Sequence, residues 1–182
     1  MTAARGAWCL TAVRSAWCVV AVGVALAAAH PSMLPAQDET IGIAVGARPP
    51  AVQIEDLEGR PADLAAYVGK KPVVIEFWAT WCPLCERLFP ALEAAHRRHG
   101  AAVDFVVIAV AVNQSQRSIR RHLERHPLPF RVLWDTEGRA TRAFQAPSTS
   151  YVVALDATGR VVYTGVGAEQ DIEEAVRRAI GR

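Results

Sequence analysis

Cysteine is scarce in this chain, and no charge of either sign is in surplus. Of the 182 residues only four are cysteine, and two of these, Cys9 and Cys18, lie in the apolar N-terminal stretch. Cys82 and Cys85 are the only thiols beyond it. A zinc site built on them needs two further thiol or imidazole ligands at suitable spacing. None of the five histidines, His30, His96, His99, His122 and His126, forms a second knuckle with a cysteine. No metal site is therefore read from the sequence, although His122 and His126 stand four apart on a predicted helix and share a face. The formal net charge is +2, and Arg5 and Arg14 account for both units, so the rest of the chain is near neutral. That leaves no basic excess for nucleic acid or an anionic membrane. There is no internal repeat and no low-complexity tract.

The N-terminus also lacks charge. Arg5 and Arg14 are the only charged residues before Asp38, and an apolar run from Ser15 ends in Ala27-Ala28-Ala29. A basic start, an apolar stretch and a small-residue end read as a secretory signal; a second cut site follows Ala36. The alternative is an uncleaved anchor, because the uncharged stretch from Ser15 to Gln37 is long enough to span a bilayer, though Pro31 and Pro35 interrupt its far end. Either way the remainder is placed outside the cytoplasm. Residues 1–36 are thus assigned as signal peptide or anchor, 37–50 as linker and 51–182 as one folded domain; the roughly 145 residues after the signal are enough for a single core.

The remaining thiols are placed for chemistry. Trp81-Cys82-Pro83-Leu84-Cys85 follows an apolar run, Val73 to Ala79, and precedes Leu84, Leu88, Leu92 and Ala95 at helical spacing. This predicts strand, turn and helix with both thiols at the turn. The orphan N–H groups and dipole of a helix N-terminus favour a thiolate at Cys82, and the thiolate is the attacking species. Pro83 suits the first helical turn, where its missing N–H has no partner to lose. Cys85 lies one turn further in and is expected to be less open to solvent. A static structural disulfide is the blander reading, but so small a ring constrains the unfolded chain little. An exported chain whose only thiols form Cys-x-x-Cys points to thiol–disulfide exchange.

The rest of the chain supplies a frame for that turn. Val52, Ile54 and Leu57 alternate with polar residues before a Glu58-Gly59-Arg60 turn, which predicts a small hairpin. Ala62 to Tyr67 reads as a helical turn. Val103 to Val112 is a second apolar run, as suits a strand covered on both faces. Ser115 to Arg125 is a basic, solvated helix ended by Pro127 and Pro129. A strand over Phe130–Trp134 and a short helix over Arg139–Phe144 come next. Tyr151–Leu155 and Arg160–Thr164 form a hairpin about Gly159, and Asp171–Ile180 is a closing helix. Parallel strands linked by helices, then a hairpin and a last helix, make a three-layer α/β/α fold with a central mixed sheet.

The run from Glu76 to Cys85, with Pro90 five residues after the second cysteine, resembles the thioredoxin superfamily, and more narrowly its exported TlpA/ResA-like thiol–disulfide oxidoreductases. The resemblance covers roughly Ala47 to Ile180, including the N-terminal hairpin and an inserted helix–strand unit. It implies that Cys82 is the attacking and Cys85 the resolving cysteine of a redox disulfide. It also implies that Glu76, six residues before Cys82, is a buried acid that takes the Cys85 proton through water. Substrate contact is expected from Trp81, Pro83, Thr149 and Ser150. The implied activity is exchange with protein thiols and disulfides, in the reducing direction, on substrates such as apocytochrome c or copper-site proteins. No cofactor is implied, and a membrane electron donor would restore the dithiol. The implied location is the periplasm or another exported compartment, with any attachment to the inner membrane through the N-terminus alone.

Two departures from the family pattern matter. Many reducing members have glutamate three residues after the second cysteine; here that residue is Leu88. The family's cis-proline stands about nine residues before the hairpin glycine. That count reaches Ser150, whereas the nearest proline, Pro147, lies twelve back. Either Ser150 replaces the proline, the favoured reading, or an insertion lets Pro147 fill its place. Two other functions make demands that the sequence does not meet. A peroxiredoxin-like peroxidase needs a lone peroxidatic cysteine with threonine three residues before it, and Thr80 is too close to Cys82. A non-enzymatic copper-delivery protein needs Cys-x-x-x-Cys and a distal histidine, one residue more than the spacing here.

Overall fold

The computed structural model describes residues 41–182; the assigned signal or anchor lies outside them. Among the described residues no helix is long and apolar enough to cross a membrane. One seven-stranded sheet runs through the domain. Its strands are β1 (Gln53–Asp56), β2 (Pro61–Asp63), β3 (Val73–Trp78), β4 (Asp104–Val110), β5 (Arg131–Asp135), β6 (Tyr151–Leu155) and β7 (Val161–Val166). Their spatial order is β2-β1-β5-β4-β3-β6-β7. The pairs β3–β4 and β4–β5 are parallel, and every other neighbouring pair is antiparallel. The helices are α1 (Pro83–His99), α2 (Gln116–Arg125), α3 (Arg139–Ala143) and α4 (Ile172–Ala179). The mixed sheet and its flanking helices are the expected three-layer α/β/α arrangement, and α2 with β5 is the inserted unit. The hairpin β1–β2 is followed by one 3-10 turn, Leu64–Ala66.

Central position explains the composition of β3. Paired on both edges and covered on both faces, it has no exposed residue, which is why it reads as a continuous apolar run rather than an alternation. Its side chains still divide by parity. Trp78 meets Phe89 of α1 and His122 of α2, with ring centroids 6.2 and 5.5 Å away. Phe77 turns to the opposite face against Phe144 and Tyr151, each at 5.7 Å. Helix α4 joins the α1 side, where Glu173 pairs with Arg98 and His99.

The segment expected to be a linker belongs to the body of the domain over its described part. Ile43 is buried, and its N–H lies 3.1 Å from the Phe144 carbonyl and 3.2 Å from the Tyr151 hydroxyl. Gly46 and Ala47 exchange backbone bonds with Val161. Gly42 has φ +78°, and any side chain there would collide with the Tyr151 ring. Periodicity missed this segment because a strap pinned by isolated long-range bonds has no repeat to display. Burial pushes the Tyr151 phenol up to about 12, so Tyr151 stays neutral beneath the strap.

Candidate active site

The turn after β3 places the two cysteines at the start of α1. Cys82 is the N-cap residue, and its sulfur accepts the Cys85 N–H at 3.1 Å, while Pro83 opens the helix proper. Cys82 and Cys85 are joined as a disulfide. The expected difference in burial is slight in this oxidised form: Cys82 is 2% exposed and Cys85 is fully buried. What separates the two sulfurs is position, since Cys82 caps the helix start and its sulfur takes the Cys85 N–H at the positive end of the helix dipole. The residues around it are unusually open. Trp81 is 45% exposed, Leu84 39% and Val112 53%, so an apolar rim surrounds the disulfide.

That rim is braced by a residue that sequence reading did not single out. Gln114 accepts the Thr80 N–H at 2.9 Å and donates to the Val110 carbonyl at 2.6 Å. Beside it the Trp81 indole donates to the Val112 carbonyl at 2.8 Å. The turn that delivers Cys82 is thereby tied to the segment that follows β4. Asn113, with φ +53°, lets that segment fold back. A lone glutamine in a loop carries no sequence signal; only the pairing of β3 with β4 brings it to Thr80.

Trp81 also walls a groove of about 580 Å³ whose other sides include Val112, Thr141, Pro147 and Thr149. Two of the expected substrate-contact residues, Trp81 and Thr149, therefore share one cleft with Pro147. Pro83 is exposed on the first turn of α1, and Ser150 is fully buried; neither lines the groove.

The Thr149–Ser150 peptide is trans. No cis peptide occurs among the described residues, and Ser150 has φ +59°. Left-handed backbone costs a non-glycine residue about 1–2 kcal/mol, which here is offset by four hydrogen bonds. The Ser150 N–H donates to Phe77 at 2.8 Å and its hydroxyl to the Gly167 carbonyl at 3.0 Å. Its carbonyl accepts from the Gly167 N–H and the Gln170 amide, each at 3.0 Å. Proline could satisfy neither the positive φ nor the bond to Phe77.

Glu76 lies in the middle of β3 and is 1% exposed. Neither carboxylate oxygen has a hydrogen-bond partner among the described residues. The crevice beside it, lined by Val74, Leu92, Phe105, Val107 and Phe130, leaves no room for water. Burial alone holds this carboxyl well above the usual carboxylate range.

A family model described as redoxin matches residues 44–180. The chain belongs to the redoxin family. Among curated relatives it is 30% identical over 141 residues to the thiol-disulfide oxidoreductase ResA of Geobacillus thermodenitrificans, covering 75% of this chain and 78% of that one. Among solved structures it resembles a secreted Mycobacterium tuberculosis disulfide oxidoreductase homologous to E. coli DsbE, at 27% identity and TM-score 0.58, covering 70% and 94% of the two chains. It also resembles dsbF of MTB, at 25% identity and TM-score 0.60, covering 71% and 93%. These likenesses and the fold identify a ResA-like member of the thioredoxin superfamily and a thiol–disulfide oxidoreductase.

Proposed function

We propose that the chain is an exported enzyme that exchanges disulfides with protein substrates through Cys82 and Cys85, acting as a reductant. The observation that carries this reading is the pair itself: two sulfurs at a helix N-terminus, ringed by exposed Trp81, Leu84 and Val112 and continuous with the Trp81–Thr149 groove. In the reduced enzyme the Cys82 thiolate attacks a substrate disulfide. A Cys82–substrate bond forms, and one substrate sulfur leaves as thiolate and takes up a proton. Cys85 then loses its proton and attacks the Cys82 sulfur. The enzyme disulfide closes, and the second substrate sulfur departs as thiol. Two electrons pass to the substrate, and an external dithiol donor must return them.

Glu76 is the proton acceptor for Cys85 in this scheme. Its crevice is closed to water in the oxidised form, so the transfer belongs to the reduced enzyme and the mixed disulfide, once the Cys82–Cys85 bond is open. A desolvated carboxylate is a strong base, and its pKa sits closer to that of a thiol than an ordinary carboxylate's does. Export is supported by the apolar N-terminal stretch of the sequence and by the secreted M. tuberculosis neighbour. Apocytochrome c and copper-site proteins are the substrate classes to try first, with a membrane dithiol carrier as donor.

The test is trapping. Cys85→Ser should accumulate a mixed disulfide between Cys82 and an unfolded substrate protein, visible as a reducible band of summed mass, while Cys82→Ser should accumulate none. A midpoint potential near about −270 mV supports reduction, whereas one near about −120 mV sinks that direction while leaving exchange intact.

A further inference from the structure

Helix α2 carries His122 in its last turn, His126 caps its C-terminal end four residues on, and the exchange chemistry uses neither. Their ring centroids lie 4.7 Å apart with planes inclined by 34°. Both rings line a cleft of about 490 Å³ between α1 and the end of α2, and the opposite wall presents Glu86 and Glu93 of α1. Glu93 is held only loosely by Arg97, at 3.8 Å, and is partly exposed. Glu86 is exposed and makes no ion pair or side-chain hydrogen bond among the described residues.

From this juxtaposition we propose a binding site for a divalent transition-metal ion, clamped by the imidazoles of His122 and His126 and completed by Glu86. With their rings 4.7 Å apart, a histidine in the last helical turn and one at the cap bring imidazole nitrogens within reach of a single ion, and histidine with carboxylate is an established donor set for zinc. Imidazole donors also suit Cu²⁺, which stands highest in the affinity order for such sites. Among the described residues no three of these side chains already converge on one point, so the imidazole pair forms the clamp and the unpartnered Glu86 swings onto the ion. The C-terminal end of the α2 dipole, with its partial negative charge, favours a cation there. Arg125 lines the same cleft and opposes binding, which makes it a probe of the site. The bound ion ties α1, which begins at Cys82, to the inserted helix α2.

The experiment uses the full chain, oxidised and then alkylated so that no free thiol competes. Cu²⁺ and Zn²⁺ are titrated calorimetrically in a non-coordinating buffer, and thermal melts are recorded with and without metal. Trp78 packs against the His122 ring, so bound Cu²⁺ should also quench its fluorescence. The expected result is one equivalent bound by the parent, with affinity lowered at least about tenfold in His126→Ala and in His122→Ala, and severalfold in Glu86→Gln. Arg125→Gln should bind more tightly than the parent. Metal should raise the melting temperature of the parent and leave that of His126→Ala unmoved. His126 is exposed, so its replacement leaves the fold intact and isolates the ligand role. Unchanged affinity and stoichiometry in His126→Ala overturn the proposal, as does equal competition by Mg²⁺, which prefers oxygen ligands.

Discussion

Replacing Glu76 by glutamine should stabilise the oxidised protein, and by more as the pH rises. The glutamine keeps the shape and polarity of the protonated acid and removes its ability to ionise. In the unfolded chain Glu76 loses its proton near the ordinary value of 4.5; in the folded state burial without a partner raises that point well above it. Between the two values the native state holds one proton more than the unfolded state. Linkage then makes the parent lose about 1.4 kcal/mol of stability per pH unit relative to Glu76→Gln. The sign follows from the raised value: the contribution of the neutral acid is fully present below the unfolded value and is lost as pH climbs toward the folded one. For a domain of this size that slope corresponds to a few degrees in melting temperature per pH unit. Urea unfolding of both proteins in the disulfide form, at several pH values from about 4 to 8, isolates the difference, since every other group titrates alike in the two. The curves should coincide near pH 4, diverge linearly and become parallel where the folded acid finally ionises. Parallel curves throughout would refute the argument, because they would mean that Glu76 finds solvent or a partner in the native state.

Four further outcomes follow from the geometry. In the reduced protein iodoacetamide should label Cys82 before Cys85 at neutral pH, read by peptide mass spectrometry; the reverse order removes Cys82 as nucleophile. Resolution of the mixed disulfide in Glu76→Gln should slow near neutral pH while the first attack changes little, and equal resolution rates would leave Glu76 a structural residue. Trp81→Ala loses the bond to Val112 and one wall of the groove, so KM for a protein disulfide should rise about tenfold while the rate with a small aromatic disulfide changes little; equal losses on both would assign Trp81 to the chemistry instead. Ser150→Pro should cost about 3 kcal/mol or more, since it forfeits the bond to Phe77 and forbids φ +59°, whereas Pro147→Ala should leave urea stability nearly unchanged.

The sequence by itself determined whatever is written in neighbouring residues or in a short period. Val73 to Trp78 is apolar throughout because a strand paired on both edges and covered on both faces has no solvent side. The placement of two cysteines around a first-turn proline follows from helix-end chemistry alone. Burial of Glu76 was legible from its apolar neighbours in the strand. The tertiary structure alone decided what depends on residues distant in the chain. Among the described residues Glu76 has no hydrogen-bond partner, because Leu92 of α1, Phe105 of β4 and Phe130 just before β5 close around it. Gln114 reaches Thr80 only across the parallel β3–β4 pair. Counting placed Ser150 opposite a family proline, yet its left-handed backbone is fixed by bonds to Phe77, Gly167 and Gln170. Local periodicity reports how a segment meets its nearest surroundings. A single long-range hydrogen bond, or a carboxylate left without one, has no period and becomes defined only when the chain closes on itself.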